Sequence, residues 1–445
     1  MTSSSFTPLR TRTGQRTHAQ QRSITGDARA QVVPGAPDSS AHITPNRFGR
    51  WWLAGSALAA CIAIAAHAFF LGWTVPFGLF GNGIDTIVYR HGGDVVLQGQ
   101  PLYEFALFDI GLPFTYPPFA ALFFTPLALL TVTSAVTVLQ VINVLLVYAA
   151  VVLSWRALGY RSGGMYLVSA PMAIAFTWLE PVRMTIWLGQ INLLLLVLVL
   201  LDLSRGEGSR LRGAGVGIAA GLKLTPAFFV LYLLTIRRWR AAFTAGAAFT
   251  ITVAAGFLVI PSDSWKFWTT TMVDSERIGA LASPANQSIH GALARLWPGH
   301  TPPFLVWLLC AAAITALALW TAARAHRAGK TLLALVICGL ATPMVSPFAW
   351  GHHWVWCIPL TIVALDYANR HRTWWSWLAP VAATLPMIAW YFTDYRGIKA
   401  IGIFMFEGSR AFEAAVQFTY PAVFLGTVTL TLISTLRHSR HRSLH

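Results

Sequence analysis

The sequence predicts an all-α polytopic membrane protein, and three observations carry that prediction. First, 56% of the 445 residues are hydrophobic and only 11% are charged, where a soluble domain carries about 25% charged residues. Second, the apolar residues come in blocks of about 17–25, the length of a bilayer-spanning helix. In hydrocarbon every backbone N–H and C=O needs an internal partner, and the alternating polarity of barrel strands is missing, so these blocks must be helices. Third, the net charge of +16, from 32 Lys and Arg against 16 Asp and Glu, gathers in the short segments between blocks, as the positive-inside rule expects. That distribution fits cytoplasmic loops facing anionic lipid and speaks against a nucleic-acid partner.

Residues 1–48 show no apolar periodicity, and six arginines stand there against Asp27 and Asp38. They read as a disordered, basic cytoplasmic tail. The block after it is too long and too far along the chain for a cleaved signal peptide. The membrane domain is assigned to residues 49–436. Its first helix runs from about Trp51 to Trp73, with Arg47 and Arg50 holding its start inside. The following loop, residues 75–115, then lies outside. Of the next two blocks, 116–130 and 134–155, only the second is assigned a crossing. The first is short and opens on Pro117-Pro118, which suits an interfacial or re-entrant helix. Its exclusion also puts Arg205, Arg210, Arg212, Arg237, Arg238, Arg240 and the basic residues 437–445 on the inside.

Further crossings are expected near 165–178, 186–203, 213–222, 226–236, 241–260, 303–323, 331–348, 353–367, 375–391 and 415–436. With the first two they make about twelve transmembrane helices, with both termini cytoplasmic. The pair between 213 and 236 is too short for two full crossings. Lys223 and Pro226 at its turn point to broken helices around an external cavity, where irregular backbone is tolerated. Only one such interruption is seen and there is no internal repeat, which counts against a transporter built from paired halves. The four cysteines, Cys61, Cys310, Cys338 and Cys357, match no metal or disulfide spacing and read as small core residues.

This topology collects nearly all the polar groups beside apolar walls on the outer face, and charge at membrane depth marks function. Asp85, early in the first outer loop, can act as a general base if an apolar surround raises its pKa. The competing structural reading makes it the N-cap of the helix that starts there. Asp94, Glu104 and Asp109 compete with it, and spacing alone does not choose among them. Arg183 and Lys223 are candidate cations for an anionic leaving group, although Arg183 could equally snorkel from a helix end. Gln190, Asn192, Asn286 and Gln287 carry amides suited to sugar hydroxyls. His352 and His353 sit among tryptophans, where one could bind phosphate or a hydroxyl while Trp350 and Trp354 stack on sugar or lipid. The plainer alternative is an aromatic belt at the membrane interface. On one helix, neighbouring histidines point about 100° apart and do not form the i,i+4 pair of a zinc motif, so no metal is expected. Walker A, dinucleotide and nucleophile-elbow signatures are all missing, so no cofactor is implied and a donor arriving through the membrane is the simpler idea.

Several strings in one order carry a resemblance. They are Asp85 with Val88-Tyr89; Pro113-Phe114-Thr115-Tyr116-Pro117-Pro118-Phe119-Ala120; and Glu180-Pro181-Val182-Arg183 with Gly189-Gln190-Ile191-Asn192. Later come Gly221-Leu222-Lys223-Leu224-Thr225-Pro226, Asn286-Gln287-Ser288, and the run from Ser346 to Trp356 that contains Trp350-Gly351-His352-His353-Trp354. Over about residues 50–436 the chain resembles glycosyltransferase family 87. The resemblance implies a GT-C helical bundle with its active site at the extracytoplasmic face of the plasma membrane. It implies polyprenyl-phosphate mannose as donor, and a phosphatidylinositol mannoside, lipomannan or lipoarabinomannan as the lipid-anchored acceptor. It implies an inverting transfer that forms an α-1,2 linkage. Asp85 then matches the family's catalytic base and His353, rather than His352, its histidine. Lys223, Arg183 and His352 become candidates for the donor phosphate, and Gln190, Asn192, Asn286, Gln287, Tyr116 and Trp350 for sugar or acceptor. Without an Asp-x-Asp pair in the outer loops, metal-independent transfer is expected. The alternatives are a lipid-linked sugar flippase or transporter, a non-catalytic scaffold of a cell-envelope assembly, and a transferase of another polyprenyl-phosphate sugar.

Overall fold

A computed structural model describes residues 48–74, 76–109, 111–206, 208–274, 279–390, 402–406 and 408–442. The expected N-terminal tail lies outside these residues, apart from Phe48. The chain is helical almost throughout. A long first helix, α1 (Arg50–Ala66), continues through a wider turn to Leu71. The outer loop then forms α2 (Ile84–Leu97) and a short antiparallel hairpin, β1 (Ala106–Leu107) and β2 (Leu112–Pro113). After these come α3 (Pro118–Ala128), α4 (Val132–Ala157) and α5 (Gly163–Phe176). The middle of the chain holds α6 (Glu180–Leu188), α7 (Asn192–Leu203), α8 (Ala214–Leu222), α9 (Phe228–Thr235), α10 (Trp239–Val259) and α11 (Pro261–Thr269). The rest comprises α12 (Ile289–Leu296), α13 (Phe304–Arg327), α14 (Thr331–Val345), α15 (Cys357–His371), α16 (Leu378–Thr384), α17 (Arg410–Val416) and α18 (Thr419–Arg442).

Among the described residues five helical stretches are long and apolar enough to cross a bilayer: Arg50–Leu71, α4, α10, α13 and the Thr419–Leu436 part of α18. At 1.5 Å per residue, a 21-residue helix covers about 32 Å, the depth of the hydrocarbon core. Their outward residues are large and apolar, as lipid contact requires: Leu58 and Ile62 on α1, Leu145 on α4, Phe243 and Leu258 on α10. These features make the chain a multi-pass helical membrane protein. By contrast α3 has 11 residues, two prolines at its start, and Pro126 inside it. It covers about 16 Å, half the hydrocarbon depth. The other positions read as crossings are filled by short helices that pack between the long ones, α1 on α5, α13 on α14 and α8 on α10.

Three segments differ from the sequence expectation. The crossing expected at 186–203 is broken: α6 and α7 meet at 116° across Gly189-Gln190-Ile191. Gly189 ends α6 in the left-handed region at φ 73°, and a Cβ there would lie 1.9 Å from Thr86 Oγ1. A glycine is needed both for the turn and for the close approach. The segment expected at 375–391 is only α16 flanked by two tight 3-10 turns, interrupted by Pro380 and Pro386. It ends in a bridge between Leu179 and Ile388. The pair His352-His353 lies on a 3-10 turn, Gly351–Trp354, rather than inside an α-helix. At the C-terminal end α18 continues as helix to Arg442, so most of the expected tail is helical.

The core runs through α4, α6, α7, α8, α14 and α15. Cys338 and Cys357 are buried in it as small residues, while Cys61 is exposed and Cys310 half-buried. Asp202 near the end of α7 is a core acid with a structural task. Its carboxylate accepts from the N–H groups of Gly213, at 3.0 and 2.9 Å, and of Val216, at 3.1 Å. It thereby serves the otherwise unpaired first amides of α8.

Candidate active site

Asp85 stands in the first turn of α2 but does not cap it. Asn82 does that work: its Oδ1 accepts from the N–H groups of Gly83, at 2.6 Å, and Ile84, at 2.8 Å. The capping alternative for Asp85 therefore falls, and its carboxylate is left for other partners. The competing acids point elsewhere. Asp94 accepts from Gln98 at 2.9 Å on an exposed face, Glu104 pairs with Lys266 at 3.1 Å, and Asp109 is exposed.

One turn after Asp85, on the same face of α2, lies the fully buried Tyr89. Its hydroxyl is 2.8 Å from that of Tyr116 and donates to Gln190 Oε1 at 2.8 Å. The Tyr116 hydroxyl reaches the same oxygen at 3.0 Å. With its oxygen taken by two phenols, Gln190 turns its NH2 to the Asp85 carboxylate. Burial pushes the Asp85 carboxyl up from its ordinary 3.8 to about 6, against the opposing pulls of the Gln190 hydrogen bond and the Lys223 charge. A carboxylate in that range is still largely ionised at neutral pH and basic enough to take a proton.

On the other side of the α6–α7 elbow, two residues past Gln190, Asn192 Oδ1 accepts from Lys223 Nζ at 3.1 Å. Lys223 Nζ is also 3.0 Å from His353 Nε2 and lies over the Tyr116 ring, 5.3 Å from its centre. The backbone oxygen of His352 accepts from Asn192 Nδ2 at 2.9 Å, and the rings of His352 and His353 meet edge to face at 4.6 Å. Lys223 occupies this position because α8 stops at Leu222 and the chain turns extended before Pro226 starts the next turn. A small cavity opens beside Asn192 and His353, with walls of Leu195, Leu196, Phe229 and Trp356.

The structure thus brings together Asp85, Tyr116, Gln190, Asn192, Lys223, His352 and His353. Four other sequence candidates sit elsewhere. Arg183 is fully buried, donates to the Phe77 carbonyl and lies 5.9 Å from the centre of the Trp187 ring. Asn286 Oδ1 accepts from Ser288 Oγ at 2.9 Å and from the Ala349 N–H at 3.0 Å. Gln287 donates to the carbonyls of Pro284 and Gln417, at 2.7 and 2.9 Å, and accepts from the Tyr420 N–H at 3.2 Å. Both amides are fully buried and tie loops together. Trp350 packs on Phe348 with ring centres 4.8 Å apart.

Sequence reasoning missed Tyr89 as a site residue, although its four-residue spacing from Asp85 was a usable signal. It also missed Glu180 as the support of the histidine turn. Glu180 accepts from the Tyr420 hydroxyl and packs so closely on Gly351 that a Cβ there would lie 2.2 Å from its Oε1. Among the described residues no three His, Cys, Asp or Glu side chains come together as a metal-binding group.

The model of glycosyltransferase family 87 matches residues 114–347. A polyprenol-phosphate-mannose-dependent alpha-(1-2)-phosphatidylinositol mannoside mannosyltransferase of Mycolicibacterium smegmatis is 38% identical, covering 73% of this chain and 79% of its own length. The chain belongs to glycosyltransferase family 87. The Mycobacterium tuberculosis protein of the same description is 36% identical over 70% of this chain and 74% of its own length. A polyprenol-phosphate-mannose-dependent alpha-(1-2)-phosphatidylinositol pentamannoside mannosyltransferase of Mycobacterium tuberculosis is 34% identical over 72% of this chain and 75% of its own length. No solved structure matches significantly. The family 87 segment takes in Tyr116, Gln190, Asn192 and Lys223, and the structure adds Asp85 before it and His353 after it.

Proposed function

We propose that this family 87 enzyme transfers mannose from polyprenyl-phosphate mannose to a lipid-anchored mannoside, forming an α-1,2 linkage with inversion. The acceptor class is a phosphatidylinositol mannoside or its lipomannan and lipoarabinomannan extensions. The observation that carries the reading is the elbow at residues 189–191. It sets Gln190 against Asp85 and Asn192 against Lys223, so a carboxylate and an ammonium share one site, as a base and a leaving-group cation would. The names of the relatives supply donor and acceptor.

In this reaction the acceptor hydroxyl attacks the anomeric carbon of the donor. The new C–O bond forms as the bond from that carbon to the phosphate oxygen breaks, and Asp85 takes the hydroxyl proton. The departing polyprenyl phosphate gains negative charge, which the Lys223 ammonium stabilises. His353 and Asn192 hold that ammonium in place. Tyr116, under the ammonium, and the Gln190 NH2 group that also meets Asp85 take sugar hydroxyls in this reading. In our reading the bundle is of the GT-C type in the plasma membrane, with about twelve crossings, cytoplasmic termini and the site on the extracytoplasmic face. Short helices stacked between the five long ones complete the count. The basic clusters around Arg205–Arg212 and Arg237–Arg240 then face the cytoplasm.

The test is transfer of radiolabelled mannose by purified protein from polyprenyl-phosphate mannose to a phosphatidylinositol mannoside, beside Asp85→Asn. Product from the wild type and none from a folded Asp85→Asn supports the reading. Product from both moves the base to Asp94 or Glu104. Movement of label across the bilayer without a new glycosidic bond would replace a transferase with a flippase.

A further inference from the structure

α4 is a 26-residue membrane helix whose narrow inward stripe contains Val136, Gln140, Asn143 and Val147. Two amides among buried apolar residues at membrane depth are costly, and leucine would fill such a stripe without that cost. Asn143 is fully buried, and among the described residues its Oδ1 has no hydrogen-bond partner. A half-satisfied amide is a poor adhesive between helices, so its retention calls for another reason.

The reason lies in what the two amides grip. Gln140 Nε2 donates to the Asn82 carbonyl at 3.1 Å, and Asn143 Nδ2 donates to the Gln190 carbonyl at 2.9 Å. Asn82 is the residue whose side chain caps α2, one turn of chain before Asp85. Gln190 is the residue whose side chain meets Asp85, Tyr89 and Tyr116. One turn before Gln140 on the same stripe, Val136 packs so close to Gly83 that a Cβ there would lie 2.4 Å away. One stripe of a long, rigid helix therefore fixes both the start of the base-bearing helix and the elbow that faces it.

We propose that Gln140 and Asn143 are positioning residues that hold Asp85 and Gln190 in register across the active site, acting through backbone carbonyls without touching substrate. The proposal rests on the reading of Asp85 as the base. A side chain that acts this way changes the geometry of the reacting groups more than the binding of a long lipid donor, so kcat falls while KM holds.

The experiment is a double-mutant cycle in purified full-length protein, with kcat, donor KM and thermal unfolding measured for wild type, Asn143→Ala, Gln190→Ala and the pair. Asn143→Ala is expected to lower kcat by about 10- to 100-fold with donor KM within about twofold. In the Gln190→Ala background the same change should cost less than about twofold, because its lever is gone. Equal losses in both backgrounds, or a loss that follows only the folded fraction, would overturn the proposal. Should Asn143→Ala fail to fold, Gln140→Ala against Asn82→Ala makes the same comparison, with non-additive losses supporting the proposal and equal losses overturning it. Full transfer by Asp85→Asn would sink the base assignment and this proposal with it, a result distinct from additive losses.

Discussion

Lys223 Nζ lies 3.0 Å from His353 Nε2. An ammonium can only donate, so the ring nitrogen accepts, and the proton of a neutral His353 sits on Nδ1. This places the histidine behind the lysine as its support, with Asn192 as the second support at 3.1 Å. Loss of the cation should therefore cost more than loss of its brace. Lys223→Met is expected to lower kcat by about 100- to 1000-fold, the range for removing a charge-stabilising donor. His353→Ala is expected to lose about tenfold, in line with the cost of removing an outer supporting partner. Steady-state transfer rates at saturating donor decide between them, and a larger loss in His353→Ala would give the histidine the direct role.

The Asp85 carboxyl is raised to about 6 by burial, and in its proposed role as base it works only when deprotonated. The acid limb of kcat/KM should accordingly fall about tenfold per pH unit below about 6 and level off near neutrality. A profile flat down to about pH 4.5 would show that no group with this raised pKa is needed in its ionised form.

The same shift has a sign for stability. Between about pH 4 and 6 the folded state binds more protons at Asp85 than the unfolded chain does, so this residue's contribution improves as pH falls through that window. At pH 7 and above the buried charge is a burden. Asp85→Asn should be inactive yet unfold at the same or higher temperature at about pH 7.5, with its advantage shrinking toward about pH 4. A clear loss of thermal stability in the neutral range would mean that Asp85 holds the fold, and would turn its inactivity into a folding effect.

Much of this site was legible in the sequence. Gln190, Asn192, Lys223 and the double histidine could be picked out because polar residues are rare beside membrane-length apolar blocks, whereas Asp85 stood among four acids and only the family resemblance chose it. The long helices were legible for the same reason. The sequence was silent wherever a polar side chain bonds to a distant backbone atom. Asn286 and Gln287 have the chemistry of sugar ligands, yet their amides are taken up by the carbonyls and N–H groups of residues 281–284, 349, 417 and 420. Nothing in their local spacing announces those partners. The break at Gly189 was read through as one crossing although Gln190 and Asn192 interrupt the apolar residues there; the left-handed turn at Gly189 and its contact with Thr86 show why the helix must stop.

The positive charge facing the leaving group comes from Lys223 in this reading, so no divalent ion is required. Transfer is expected to keep its rate in excess EDTA. Activity lost to the chelator and restored by Mn2+ or Mg2+ would give the charge role to a metal instead.

Gly189 provides the most local test of the elbow. At φ 73° an alanine loses about 1–2 kcal/mol to the left-handed conformation. Its Cβ would also lie 1.9 Å from Thr86 Oγ1, the residue next to Asp85. Gly189→Ala should therefore both lower the unfolding temperature and push α2 away from Gln190, with a fall in kcat. Thr86 donates to the Gly189 carbonyl at 3.2 Å, so removing its hydroxyl relieves the clash but also loses that bond. The double variant Gly189→Ala/Thr86→Ala should recover part of the activity while keeping the backbone part of the stability loss. Thermal unfolding and transfer rate, measured on the same preparations, separate the two effects. If the double variant stays as inactive as Gly189→Ala, displacement of α2 by Thr86 is not how the elbow reaches the base.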